Sequence, residues 1–73
     1  MEININGDKF FVYRFDNESD KVFNERLDFI KKVYNDNKKS KEAINLSKIW
    51  LNYKYNNCKY QPSVYYKIKK YLE

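Results

Sequence analysis

A chain of 73 residues with one cysteine, no histidine and a net charge of +5 excludes several classes of protein at once. A single cysteine forms no disulfide within the chain, and without histidine it does not complete a tetrahedral zinc site. A fold of this size then depends on its hydrophobic core or on association with a partner. Aromatic residues make up 19% of the sequence, which favours an aromatic core in a single domain spanning residues 1–73.

The N-terminal segment, about residues 2–15, predicts a β-hairpin turning at Asn6-Gly7, because these residues accept the positive φ angles of a type I′ turn. A two-residue turn pairs Ile3 with Phe10, whereas a three-residue loop with a bulge pairs Ile3 with Phe11. We prefer the bulged register, since it gathers the apolar side chains on one face. The second strand is apolar on both faces in either register. It is therefore a candidate subunit contact, formed by Phe10, Phe11, Val12, Tyr13 and Phe15.

A first helix is predicted over about residues 20–35, where apolar residues recur with helical spacing. The acids Asp16, Glu18 and Asp20 precede it. Their spacing matches the start of a calcium loop, but the loop's glycine and terminal glutamate are missing, so we interpret the segment as a helix cap. Arg26 falls within the apolar stripe. We interpret its aliphatic stem as buried and its charge as reaching water, the alternative being a paired acid.

Two more helices are predicted, over about residues 41–57 with Ser40 as cap and over about residues 63–72 after Pro62. The first of these is the most apolar helix, and we expect it to be the centre of the fold. Lys54 lies in its apolar arc and is interpreted in the same way as Arg26. The predicted fold class is α+β, with an N-terminal β-hairpin followed by three α-helices in one small domain.

The residue types present argue against an enzyme. Histidine, the commonest general acid–base at neutral pH, is missing, as are a glycine-rich phosphate loop and paired carboxylates. Cys58 lies near Lys54 and Lys59 but has no neighbouring base, so we interpret it as a small partly buried hydrophobic residue. We expect no metal, no cofactor and no small-molecule substrate.

The start of the chain has neither the basic segment nor the apolar segment of a signal peptide. No apolar run approaches the length needed to span a bilayer, so we expect no membrane partner. A lone cysteine is also more typical of a reducing compartment than of a secreted protein. We expect an intracellular location.

The charge is divided unevenly along the chain. Residues 1–30 carry seven acids and four basic residues, whereas residues 31–73 carry eleven lysines and three acids. Such asymmetry predicts an anionic partner. Lysines neutralise phosphates and an exposed tyrosine stacks on an unpaired base, so the prediction is backbone-led, sequence-tolerant binding of DNA or RNA. The candidate residues are Lys41, Lys48, Lys59, Tyr66, Lys67, Lys69 and Lys70.

Two alternatives remain open. Lysine outnumbers arginine thirteen to two, and the chain has ten asparagines and eight tyrosines. Lysine, asparagine and tyrosine are residues that an AT-rich genome overproduces, so the lysine surface is also explained by codon bias and ordinary solvation. The other alternative is a protein–protein interaction or structural module, expected as a homodimer, with no role in binding nucleic acid.

The same composition marks residues 34–39 and 53–57, which consist of tyrosine, asparagine, aspartate and lysine. In this respect the chain resembles the small proteins of giant nucleocytoplasmic DNA viruses of the mimivirus type. The resemblance extends along the whole chain but rests on composition and on no functional motif. It implies a viral origin, with the host cytoplasm, the nucleus or the virion as the location, and it transfers no active site.

Overall fold

A computed structural model describes residues 1–56 and 62–71, and for residues 62–65 it describes the backbone alone. These residues form two antiparallel strands followed by three helices, which confirms the predicted α+β fold class. The elements are β1 (Glu2–Ile5), β2 (Asp8–Phe11), α1 (Asp20–Asn37), α2 (Ser40–Asn56) and α3 (Pro62–Lys69). None of the helices in the described ranges has the length and apolar content of a membrane span.

The hairpin turns in two residues, so the bulged register that we preferred from the sequence is wrong. Asn6 and Gly7 have φ angles of 53° and 90°, and Ile3 pairs with Phe10. Two consecutive residues with positive φ complete a type I′ turn, and no third loop residue is needed. The Gly7 N–H donates to Oδ1 of Asn4 at 3.0 Å and supports the turn.

The observed register divides the second strand between two environments. Phe10 is half-buried and Val12 is buried, and both pack with Ile3 on the side of the core. Phe11 and Tyr13 are exposed on the other side. The strand ends earlier than predicted, at Phe11.

Helix α1 begins and ends with defined caps. Ser19 is its N-cap, and its Oγ accepts from the backbone N–H of Val22 at 3.3 Å, while Asp20 occupies the first turn. Lys38 ends the helix in the left-handed conformation with φ 52°, and its N–H donates to the carbonyl of Tyr34. The segment before α1 therefore does cap the helix, as predicted.

Helix α1, and not α2 as the sequence suggested, is the centre of the fold. It buries seven of its side chains against five in α2. Phe29 of α1 stacks on Trp50 of α2 at a centroid distance of 5.0 Å and meets Tyr71, just after α3, edge-on at 5.5 Å. On the hairpin side, Tyr34 of α1 contacts Phe10 at 5.6 Å. Helix α2 is more apolar than α1 but lies at the periphery. Helix α1 is the one with aromatic contacts to the hairpin, to α2 and to Tyr71.

Arg26 does not extend its charge into water, so our interpretation from the sequence is wrong. Its side chain is 1% exposed and forms an ion pair with Glu18, whose side chain is equally buried. Nε of Arg26 lies 2.7 Å from Oε2 of Glu18. Lys54 likewise has an acidic partner, with its Nζ 3.3 Å from Oε2 of Glu25, although this pair is only partly buried. The alternative of a paired acid therefore holds at both positions.

Candidate nucleic-acid interface

Lysines surround the start of α2. The left-handed cap at Lys38 turns the chain sharply, and α2 starts only two residues later at Ser40. This brings Lys38, Lys39 and Lys41 around the N-terminus of a 17-residue helix. With Ser40 and Glu42 they line a shallow depression of about 510 Å³. The unpaired N–H groups of a helix N-terminus add positive potential to that of the lysines.

A second depression, of about 270 Å³, lies between α2 and α3. Lys67, Lys70 and Tyr66 line it on one side, and the ring of Tyr71 forms part of its wall. Tyr66 as a whole residue is 72% exposed. The ammonium of Lys70 lies 4.9 Å from the centroid of the Tyr71 ring. An aromatic ring is thus placed among cations at the surface.

Glu42 joins the two depressions, since it lines both. Its Oε1 lies 3.6 Å from Nζ of Lys67, in a pair whose lysine is 64% exposed and well solvated. Among the described residues, the lining of the two depressions therefore contains five lysines and one acid, a net charge of +4 from 5 − 1. We call this surface the basic end, and its lysines are Lys38, Lys39, Lys41, Lys67 and Lys70.

The predicted binding residues are only partly brought together. Lys41, Lys67, Lys70 and Tyr66 lie in the basic end. Lys48 is exposed on the same side of α2 as Lys41, seven residues and about 10 Å farther along the helix. Lys69 is exposed outside both depressions, and Lys59 lies outside the described residues.

Lys38 and Lys39 were missed in the sequence, where they belong to a polar loop. The signal was the sequence Lys-Lys-Ser-Lys, because a serine that starts a helix places its flanking lysines at the helix N-terminus. What the sequence did not reveal is the proximity of α3. The Glu42–Lys67 contact spans 25 residues, from 67 − 42.

Comparison with protein-family models, with curated proteins and with solved structures finds no match to this chain. The candidate site therefore rests on geometry and charge. A groove between described residues of α1 and α2 has no such excess of positive charge. It encloses about 480 Å³ between α1 and α2, and its rim carries two acids and two lysines, Glu25, Asp28, Lys32 and Lys54. A rim without net charge does not select an anion.

The acids of the N-terminal part do not cover the basic end. Asp20 pairs with Arg14, Glu18 with Arg26, and Glu25 with Lys54. These pairs occupy the hairpin side of α1 and its contact with the far half of α2, whereas the basic end surrounds the first turn of α2. None of these three acids lines either depression of the basic end.

One acid of the hairpin is engaged by a tyrosine. The Tyr34 hydroxyl donates to a carboxylate oxygen of Asp8, in a contact that fixes the hairpin tip to α1. This hydrogen bond raises the pKa of Tyr34 above its ordinary value of 10.0, and burial and the charge of Asp8 act in the same direction. Beside it, Nδ2 of Asn6 donates to Oδ1 of Asn35 at 2.8 Å. Both contacts are structural and lie outside the basic end.

The predicted interface residues also occupy different positions. Phe10 and Val12 belong to the inward side of the hairpin and contribute to the core. Phe11 is 53% exposed, Tyr13 is 75% exposed and Phe15 is 37% exposed. The surface that the hairpin offers to a partner is thus formed by the last three of these residues, and chiefly by Phe11 and Tyr13.

Proposed function

We propose that this protein is a non-enzymatic nucleic-acid-binding protein that contacts the phosphate backbone of DNA or RNA through its basic end, with little sequence specificity. The observation that carries the proposal is the concentration of five exposed lysines at the start of α2 and in the adjoining α2–α3 depression, with Glu42 as the one acid among the described residues that line them. Lysines that neutralise phosphates release condensed counterions, and this release supplies most of the affinity of non-specific binding.

The arginines support a sequence-tolerant mode. Arginine is the side chain that most often reads base edges, through paired hydrogen bonds to guanine. Both arginines of this chain are engaged within the protein, Arg14 with Asp20 and Arg26 with Glu18. The cations left for a ligand are lysines, which act on phosphates as point charges. Because lysines and not arginines remain for a ligand, we expect binding to be directed at the phosphate backbone and not at base edges.

The exposed ring of Tyr66 favours binding to single-stranded nucleic acid over binding to a duplex. Its ring is largely exposed in the same depression as Lys67 and Lys70. Every base has a face on which an aromatic ring stacks, but the base must first leave a duplex. A single strand offers both phosphates and unpaired bases to this surface. Such binding suits a genome-associated accessory protein of the AT-rich source that the composition indicates.

The proposal is tested by fluorescence anisotropy of labelled single-stranded DNA, single-stranded RNA and duplex DNA of equal length, over a series of salt concentrations. If all five lysines neutralise phosphates of a single strand, the logarithm of the binding constant falls against the logarithm of salt with a slope of about −3.5. We expect tighter binding to the single strands at matched salt. An absence of binding even at the lowest salt contradicts the proposal and makes the lysines an ordinary solvated surface.

A further inference from the structure

Strand β2 has an open backbone edge. The Val12 N–H donates to the carbonyl of Met1 at 2.8 Å, and the N-terminal amine of Met1 donates to the carbonyl of Val12 at 2.7 Å. Bonded and non-bonded pairs alternate along an antiparallel ladder, so Lys9 and Phe11 belong to non-bonded pairs. Their N–H and C=O groups therefore point away from β1. Within residues 1–56 and 62–71 these groups have no hydrogen-bond partner.

Exposed aromatic rings accompany this edge. Phe11 and Tyr13 lie on the outward side of the hairpin, and their rings meet edge-on with centroids 4.7 Å apart. More than half of each residue is exposed. An edge strand with unpaired amide groups and apolar side chains is a template for pairing with another strand.

Charge indicates which strand is the partner. The side chains of residues 1–15 carry two acids and two basic residues, a net charge of zero, whereas residues 31–73 carry +8, from 11 − 3. Two copies of this protein therefore approach with the least repulsion at their hairpins and with the most at their basic ends. We propose that β2 pairs with β2 of a second copy, so that two hairpins form one four-stranded antiparallel sheet.

The backbone selects one register for this pairing. A two-fold axis at Phe10 places Lys9 opposite Phe11 of the second copy, and the outward groups of both residues then form four intermolecular hydrogen bonds. An axis at Phe11 would instead require the backbone of Tyr13, whose carbonyl already accepts from Arg26. The register centred on Phe10 is therefore favoured.

The side chains agree with that register. Charged residues on an edge usually discourage pairing, and Lys9 is such a residue. In this register Lys9 does not lie opposite Lys9 of the second copy. It lies opposite the ring of Phe11 of the second copy, where a cation is favourable. Asp8 falls opposite Val12, so no like charges meet. Four backbone hydrogen bonds and two facing pairs of Lys9 and Phe11 make a small contact, so we expect an association that appears only at high protein concentration.

Sedimentation equilibrium of the full chain tests the pairing, over protein concentrations from micromolar to millimolar. We expect the average mass to rise from the monomer value of 9.1 kDa towards twice that value. Lys9→Pro removes an outward N–H of β2 without removing a hydrogen bond of the hairpin, and Phe11→Ser removes the exposed ring. Both variants should remain monomeric. Glu2→Pro is the matched control, since it removes an outward N–H from the opposite edge and should associate like the wild type.

As a control, thermal unfolding of each variant checks that the protein is still folded. A wild type that stays monomeric at the highest concentration overturns the proposal, as does a dimer that persists in folded Lys9→Pro and Phe11→Ser. Association that Glu2→Pro abolishes would move the contact to β1 and overturns it too. The outcome is independent of nucleic-acid binding, because none of these substitutions touches the basic end.

Discussion

The guanidinium of Arg26 and the carboxylate of Glu18 form a two-point ion pair inside the protein, at 2.7 Å and 3.0 Å, with both side chains 1% exposed. Glu18 also accepts from the Phe15 N–H at 3.2 Å, and Arg26 donates to the carbonyl of Tyr13. The pair thus supplies hydrogen bonds to the irregular chain that joins the hairpin to α1. The ion pair therefore holds this connecting segment in place, although the segment belongs to neither a strand nor a helix.

Glu18→Gln should destabilise the protein strongly. The substitution leaves the Arg26 charge buried without a counter-charge, and breaking a buried pair in this way costs about 3–5 kcal/mol. Urea unfolding followed by far-ultraviolet circular dichroism measures the free energy of unfolding. Asp20→Asn is the control, because its pair with Arg14 is exposed and worth at most about 1 kcal/mol. Equal losses in the two variants would contradict a special role for the buried pair.

The hydrogen bond between Tyr34 and Asp8 predicts a loss of stability in alkali. The pKa of the Tyr34 phenol is raised in the folded protein, first because Asp8 accepts its proton in a hydrogen bond. The stabilisation is complete below the unfolded value of about 10 and is lost as the pH rises through the folded value. Stability of the wild type should therefore fall more steeply above about pH 10 than that of Tyr34→Phe. Parallel stability curves for the two proteins would contradict this.

Gly7→Ala tests the turn that determines the hairpin register. Gly7 has a φ of 90°, and an added Cβ would meet no atom within 4 Å, so the cost comes from the backbone alone. We expect a loss of about 1 kcal/mol, measured by chemical unfolding. Asn6→Gly is the control, since glycine also adopts the positive φ of that position and should cost less. An unchanged stability in Gly7→Ala would contradict the two-residue turn.

Substituting two lysines on the same side of α2 tests whether binding is confined to the basic end. Lys41 lies in the basic end, whereas Lys48 is exposed outside it. If Lys41 neutralises one phosphate of a single strand, Lys41→Gln should reduce the salt slope of binding by about 0.7. Lys48→Gln should leave the slope nearly unchanged. Salt titrations of both variants by anisotropy make the comparison, and equal changes would extend the site along α2.

The elements themselves were predictable because their signals are local. Asn6-Gly7 indicated the turn, and apolar spacing with Ser19 and Pro62 nearby indicated helices whose observed bounds differ by a few residues. The hairpin register was predicted wrongly, because we gave more weight to gathering the apolar side chains on one face than to the geometry of the Asn6-Gly7 turn. In the structure the turn decides the register, and the outward Phe11 stays exposed.

What the sequence did not reveal depends on contacts between elements. Arg26 and Glu18 are eight residues apart, with a helix start between them, so no helical spacing relates them. The central position of α1 follows from three neighbours that only tertiary packing provides. The basic end likewise joins lysines at the start of α2 to Lys67 of α3 and to Lys70 just after it, and Lys38 and Lys39 gain their importance from that junction.

The most direct test of nucleic-acid binding compares two triple variants that lose the same charge. The first is Lys38→Gln, Lys39→Gln and Lys41→Gln, which removes the lysines around the start of α2. The second is Lys21→Gln, Lys31→Gln and Lys48→Gln, which removes exposed lysines that line neither depression. With single-stranded DNA at low salt, we expect the first variant to lose about tenfold or more in affinity and the second to lose far less. Equal losses would show that net charge alone drives the binding, and no loss in the first variant would contradict the basic end as the binding surface.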